Sequence, residues 1–223
     1  MTRDNLTPSI EDYLKVIYDL TLAQERASTN QIAERMGVAP ASVTGMLKRL
    51  AANEPPLLNY EKHRGAELTL AGNQVALEII RHHRLLELYL HERLGYPWDE
   101  VHEEADRLEH VISEELEERI ARELGDPLQD PHGDPIPTRE LSLPVHNWAR
   151  LSDLCAGQKA VVQRVANENP DLLRYLSSIG LVPQAHLEVI GVSEFDRNLQ
   201  LLVGDRELVL GPAVTHHIFV EVV

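Results

Sequence analysis

The chain has 223 residues, 43% of them hydrophobic, and a formal net charge of −15; this is enough for one large domain or two to three small ones with real cores. A single cysteine, Cys155, excludes an internal disulfide and a cysteine-built zinc cage. No run of eighteen apolar residues is present and the start Met1-Thr-Arg-Asp-Asn5 lacks the basic and apolar regions of a signal peptide, so a cytoplasmic protein is expected.

The acidity is uneven. Residues 1–72 hold 8 basic and 9 acidic side chains, residues 73–147 hold 7 and 18, and residues 148–223 hold 6 and 9; seven of the eleven histidines also fall in the middle segment. A strongly negative chain argues against nucleic acid as a partner, but here the first 72 residues are close to neutral. Most of the middle carboxylates, such as Glu114, Glu115, Glu117 and Glu118, read as a solvated helix surface.

After Pro8, the apolar positions Ile10, Tyr13, Leu14, Ile17, Tyr18 and Leu20 recur at helical spacing and predict a first helix to about Ala23. From Ser28 to Leu50 the pattern is a short helix capped by Thr29 and ended by Gly37, then a second helix entered through Pro40 and running to about Ala52. That is a helix-turn-helix with Pro40 to Ala52 as recognition helix. Leu57 to Thr69 reads as two short strands around a turn at His63 to Ala66, which is a wing. Thr69 can cap a long helix that stops before Gly95-Tyr-Pro97; a further helix is expected from about Asp99 to Leu116, and Ser113 to Leu124 as a third helix or its continuation. Asp126 to Pro144 contains Pro127, Pro131, Gly133, Pro135, Pro137 and Pro144, an extended connection and the natural boundary. Beyond Leu151, five short β-rich runs interrupted by one helix, Asp171 to Ile179, suggest a small closed β-barrel.

Two stretches carry chemistry. Residues three and four apart on a helix share a face, so His102, Asp106, Glu109 and His110 can project in one direction, as can His83 and Glu87. Imidazole and carboxylate together form a ligand set for a divalent metal. On the recognition helix, the small and hydroxyl residues Pro40, Ala41, Ser42, Thr44 and Gly45 allow close approach to base edges and thymine methyls, while Lys48, Arg49 and the wing's Arg64 can reach phosphates. A helical hairpin in an ordinary bundle, with Lys48 and Arg49 merely facing solvent, would carry the same pattern without the wing. His63, His82, His91, His146, His186, His216 and His217 lack such alignment and read as surface or packing residues.

These motifs resemble the diphtheria toxin repressor family of metal-dependent transcriptional regulators, including its manganese-sensing branch, over nearly the whole chain. Pro8 to Tyr18 looks like the family's opening helix, Arg81 to Glu87 its first ligand helix, Val101 to Val111 its second, and Pro131 to Pro137 the loop before a C-terminal SH3-like domain that itself resembles ferrous-iron-transport A (FeoA) domains. The resemblance implies a multidomain, mainly α-helical chain. Its parts would be a winged helix-turn-helix DNA-binding domain at 1–72, a helical dimerisation and metal-binding domain with the proline-rich connection at 73–147, and an SH3-like (FeoA-like) β-barrel at 148–223. It implies a primary, activating metal site of Asp12, Asp106, Glu109 and His110. The ancillary site would be His83, Glu87 and His102, with Glu168 and Asp171 from the C-terminal domain; a variant would instead use Asp130 and His132 from the loop. Glu168 and Asp171 read equally as carboxylates at a helix N-terminus.

Where iron-sensing members have Met and Cys in the primary site, this chain has Asp12 and Asp106, and hard oxygen suits Mn(II) better than sulfur does. Lys15 stands where two-metal manganese sensors offer a glutamate. The expectation is therefore a manganese-activated homodimeric repressor of metal-uptake genes on pseudo-palindromic double-stranded DNA, with Fe(II) as the alternative cofactor and other divalent metals able to substitute. Two readings compete. The motif His102-Glu103-x-x-Asp106 is one substitution from a zinc-hydrolase pattern, and carboxylate helices also build dimetal oxidases, but neither scheme uses the winged helix and no enzyme is expected. The other is a metal-independent dimeric DNA-binding protein whose barrel recruits a partner.

Overall fold

A computed structural model describes residues 6–22, 24–144, 146–166 and 169–223. The chain divides into two compact units, one of Met1–His82, Glu109–Ile112 and Pro137–Ser142, the other of His83–Leu108, Ser113–Ile136 and Leu143–Val223.

The first unit opens with helix α1 (Pro8–Thr21), followed by α2 (Thr29–Met36) and α3 (Pro40–Ala51). Ser28 rather than Thr29 caps α2: its hydroxyl accepts from the Gln31 amide while the Gln31 side chain accepts from the Ser28 amide, a reciprocal capping box. Gly37 ends α2 in the left-handed conformation, and Pro40 opens α3. Strands β1 (Leu58–Glu61) and β2 (Gly65–Leu68) form the antiparallel wing, with Glu61 opposite Gly65 and His63 at positive φ in the turn. Leu14, Ile17, Ile32, Val43, Leu47, Leu50, Leu57 and Leu58 fill the core beneath them. Burying one such side chain contributes on the order of 1.5–3 kcal/mol, and this sets how α1 and α3 stand within the unit. Thr69 accepts from the Gly72 amide at the start of the 25-residue helix α4 (Leu70–Leu94), as expected.

In the second unit, α4 is followed by α5 (Val101–Leu108) and α6 (Glu114–Glu123). The expected helix from Asp99 to Leu116 therefore ends early, at Leu108. Ser113 is the reason: it is extended (φ −84°, ψ 156°) and caps α6 by accepting from the Leu116 amide, a role a residue inside a continuing helix cannot play.

The C-terminal strands β3 (Ala149–Arg150), β4 (Lys159–Val165), β5 (His186–Val192), β6 (Leu199–Val203), β7 (Arg206–Leu210) and β8 (Ile218–Val222) form one antiparallel sheet in the order β3-β8-β4-β5-β6-β7. The closed barrel expected from the strand count is not formed; the sheet is open. Closure needs the two edge strands to pair, and β3, which periodicity cannot detect, offers only two residues to β8 and none to β7 among the described residues. Helices α7 (Pro170–Ser178) and α8 (Pro212–Thr215) complete this part, and Val162, Val165, Leu173, Leu176, Val189, Leu201, Ile218 and Val220 share its core.

The segment 130–136 lies against the end of β4. The Val165 amide donates to the His132 carbonyl at 2.8 Å. Gly133 (φ +88°) runs so close to β4 that a Cβ there would stand 1.9 Å from the Gln163 carbonyl oxygen, so only glycine fits.

Two candidate metal centres and a DNA-reading face

The first cluster is built from α1 and the turn after α5. Asp12 stands on α1, and because α5 stops at Leu108, Glu109 and His110 lie in a turn rather than on a helix. Ligand atoms of Asp12, Glu109 and His110 all lie within 4.8 Å of one another. His110 Nε2 is 3.0 Å from Asp12 Oδ1 and 3.5 Å from Glu109 Oε1. Its other nitrogen, Nδ1, donates to Glu11 Oε2 at 2.6 Å. Glu11 is buried, and a carboxylate behind the ligating imidazole fixes the ring's direction and basicity. Hydrogen bonds to Asp12 and then Glu11 outweigh the opposing effect of burial and, with the nearby charges of Glu109 and Asp12, raise the His110 pKa from 6.5 to about 9. The Glu109 backbone carbonyl is held by His82 Nδ1 at 3.1 Å. Its carboxylate accepts from Lys15 Nζ at 2.8 and 3.1 Å.

The second cluster joins α4 to α5. His83 Nε2 and His102 Nδ1 are each 3.0 Å from Glu87 Oε1 and 2.9 Å from each other. On the other side of the rings, Asp106 lies 3.3 Å from His83 Nδ1 and 3.6 Å from His102 Nε2. Asp106 is thus brought to His83 and His102. Burial works against a charge on Glu87, yet the imidazoles of His83, His102 and His132 hold its carboxyl well below the usual range.

The loop residues converge on the same carboxylate. His132 is fully buried with Nε2 3.9 Å from Glu87 Oε1. Asp130 Oδ1 accepts from the His132 and Asp134 amides at 2.8 and 2.9 Å. Burial, then the charges of Asp134 and Glu87, push the Asp130 carboxyl well above the usual range, and burial lowers the His132 pKa. Glu87 Oε2, Asp130 Oδ2 and both His132 ring nitrogens are buried without a hydrogen-bond partner among the described residues. Leaving such groups unmatched costs about 1–3 kcal/mol each, and oxygen and imidazole donors in that state suit a divalent cation. Asp134 sits between two guanidiniums, 2.7 Å from Arg164 and 3.5 Å from Arg84, which ties the loop to β4 and α4.

Of the two C-terminal ligands expected by resemblance, Asp171 is 88% exposed and paired with Arg174, which also holds Asp99. Glu168 lies outside the described residues. Sequence reasoning missed Glu11, marked Lys15 only as a departure from the two-metal pattern, and read His82 only as a surface or packing residue. A readable signal existed for Glu11, an acid in phase with the apolar face of Ile10, Leu14 and Ile17, but none for the pairing of Lys15 with Glu109, 94 positions away.

On the reading helix, Val43, Leu47 and Leu50 face the core while Pro40, Ala41, Ser42, Gly45, Lys48 and Arg49 are exposed. Thr44 is half-buried, its hydroxyl donating to the Pro40 carbonyl. Arg64 is 72% exposed on the wing and paired with Glu61 at 2.8 Å. No helix among the described residues is long and apolar enough to cross a membrane.

A winged helix-turn-helix whose first helix carries a ligand of a carboxylate and imidazole cluster defines a metal-responsive DNA-binding protein. The chain matches the iron-dependent repressor N-terminal DNA-binding domain over residues 5–66, the iron-dependent repressor metal-binding and dimerisation domain over 69–138, and the FeoA domain over 149–222. It is 33% identical to the iron-dependent repressor IdeR of Mycobacterium leprae across 98% of this chain and 99% of that one. Among solved structures it resembles a manganese-dependent transcriptional repressor in complex with manganese (TM-score 0.87, 36% identity, 96% of this chain and 100% of the other) and ScaR with bound Zn²⁺ (TM-score 0.79, 34% identity, 96% and 99%). The chain belongs to this family of metal-dependent transcriptional repressors, that of IdeR, MntR and the diphtheria toxin repressor.

Proposed function

We propose that the protein is a manganese-activated repressor in the cytoplasm that binds pseudo-palindromic operator DNA as a homodimer and silences metal-uptake genes. In this reading residues 1–72 bind DNA, 73–147 dimerise and sense metal, and 148–223 support the sensor. The observation that carries it is the convergence of Asp12, Glu109 and His110 into one sulfur-free donor set on the unit that bears the reading helix. Oxygen-rich sites favour Mn(II) over softer alternatives relative to sulfur-containing ones, and the manganese-dependent repressor structure above is similar over nearly its whole length. The full-length likeness to an iron-dependent repressor keeps Fe(II) as the second reading.

Bound manganese would neutralise the carboxylates of Asp12 and Glu109. To ligate, His110 would have to give up its proton, and Glu11 would keep the ring aimed. Asp12 thereby joins α1 to the turn at 109–112, narrowing the positions that α1, and α3 packed with it, can take. In a dimer this would set two reading helices roughly 34 Å apart, one DNA turn. His83, Glu87 and His102 would hold a second, ancillary ion, with His132 and Asp130 as further candidate donors beside Glu87; His83, His102 and Asp106, whose ligand atoms lie within 4.8 Å of one another, are the alternative set on the opposite ring nitrogens. The family members above are repressors, which points away from catalysis.

The test is a mobility-shift assay on candidate operators with Mn(II), Fe(II) and chelator under anaerobic conditions. Binding should require metal and be lost in Asp12→Ala and His110→Ala; undiminished binding after chelation would sink the mechanism, and a response to Fe(II) alone would replace manganese with iron.

A further inference from the structure

Lys15 lies one turn beyond Glu11 and Asp12 on α1, at the spacing that makes it a neighbour of each. Its ammonium contacts both oxygens of Glu109, Oε2 at 2.8 Å and Oε1 at 3.1 Å, and Oε1 is the oxygen that faces His110 Nε2. The Glu109 side chain is 1% exposed and that of Lys15 17%. A carboxylate so buried needs a cation. We infer that Lys15 is a resident cation that competes with the divalent metal for Glu109, and so sets the metal concentration at which the repressor switches on.

Lys15 has this role only if Asp12, Glu109 and His110 form the metal centre proposed above. An ion ligated by Glu109 Oε1 and His110 Nε2 meets a fixed positive charge on the same carboxylate. The ammonium must either leave Glu109 or remain beside a dication, and both outcomes weaken metal binding. Because Lys15 is tethered, its effective concentration at Glu109 does not fall when the cell's metal falls. The same contact keeps α1 attached to the 109–112 turn in the metal-free protein, so Lys15 both preserves the empty sensor and raises its threshold.

The experiment is calorimetric titration of Mn(II) into full-length protein carrying His102→Ala to silence the second cluster, with and without a Lys15 substitution. Lys15→Met keeps the aliphatic stem and should bind Mn(II) at least about tenfold more tightly, while its metal-free form melts at a lower temperature. Lys15→Arg keeps the charge and can grip both oxygens side by side, so it should bind Mn(II) more weakly than the parent. Unchanged or weaker binding by Lys15→Met would overturn the inference, since the lysine would then be holding Glu109 in place for the metal. If Lys15→Met does not fold, Lys15→Arg decides: weaker binding supports competition, and equal or tighter binding refutes it. Titration of His110→Ala separates the two layers, because binding insensitive to that change removes the metal centre itself.

Discussion

The metal-free protein should lose stability as the solution is made alkaline, and His110 is the group responsible. Asp12 and Glu11 hold its imidazole charged, raising its pKa from 6.5 to about 9. A group whose pKa is higher when folded contributes stability that is complete below its unfolded value and disappears as pH rises through the folded one. The window is therefore about pH 6.5 to 9. At about 1.36 kcal/mol per unit the ceiling is about 3 kcal/mol. The ring is not sealed from water, and screening roughly halves that, to ~1.5 kcal/mol. Urea unfolding of the wild type and His110→Gln, with chelator present, measures it: the stability difference between them should shrink by about that amount between pH 6.5 and 9.5. A difference that stays constant over that range refutes the assignment. The same proton must leave when manganese binds, so binding heats near neutral pH should vary with the ionisation enthalpy of the buffer, and affinity should rise with pH up to about 9.

Three other outcomes follow from the geometry. Gly45 is exposed on the reading helix and a Cβ there meets nothing within 4 Å, so Gly45→Ala should stabilise the protein by about 0.5–1 kcal/mol yet weaken operator binding several-fold by fluorescence anisotropy; unchanged affinity would remove this residue from the interface. Glu87→Gln should abolish the manganese signal of the second cluster in an electron-paramagnetic-resonance titration while leaving the first, and cost about 1–3 kcal/mol in denaturation because the buried His83 and the half-buried His102 lose their anionic partner. Asp171→Ala should leave manganese affinity unchanged, since its carboxylate is exposed and engaged by Arg174; a clear loss in the same titration would restore it as a ligand.

Much of the architecture was legible because it rests on local rules. The helix-turn-helix announced itself through Gly37 and Pro40, and the strands through alternation. The barrel failed because closure depends on which edges pair, and a two-residue strand such as β3 leaves no periodic trace. The ligand types were legible and their grouping was not. Helical spacing can align neighbours on one helix, but it could not bring Asp106 to His83, which stands on a different helix. The partners of Glu11 and Lys15 were not legible for a related reason: each acts on a residue more than ninety positions away, and pairing at that distance is decided by the packed core.

The close run of Gly133 beneath the Gln163 carbonyl has a consequence for anyone who shortens this protein. Among the described residues, every candidate metal ligand in the two clusters and on the loop precedes Pro144. A chain cut there would keep the complete chemistry of a sensor. It would also lose the Val165 amide that anchors His132 and the Arg164 guanidinium that neutralises Asp134. The sheet thus serves as a mould for the loop, and fragments made for convenience would report on a different instrument.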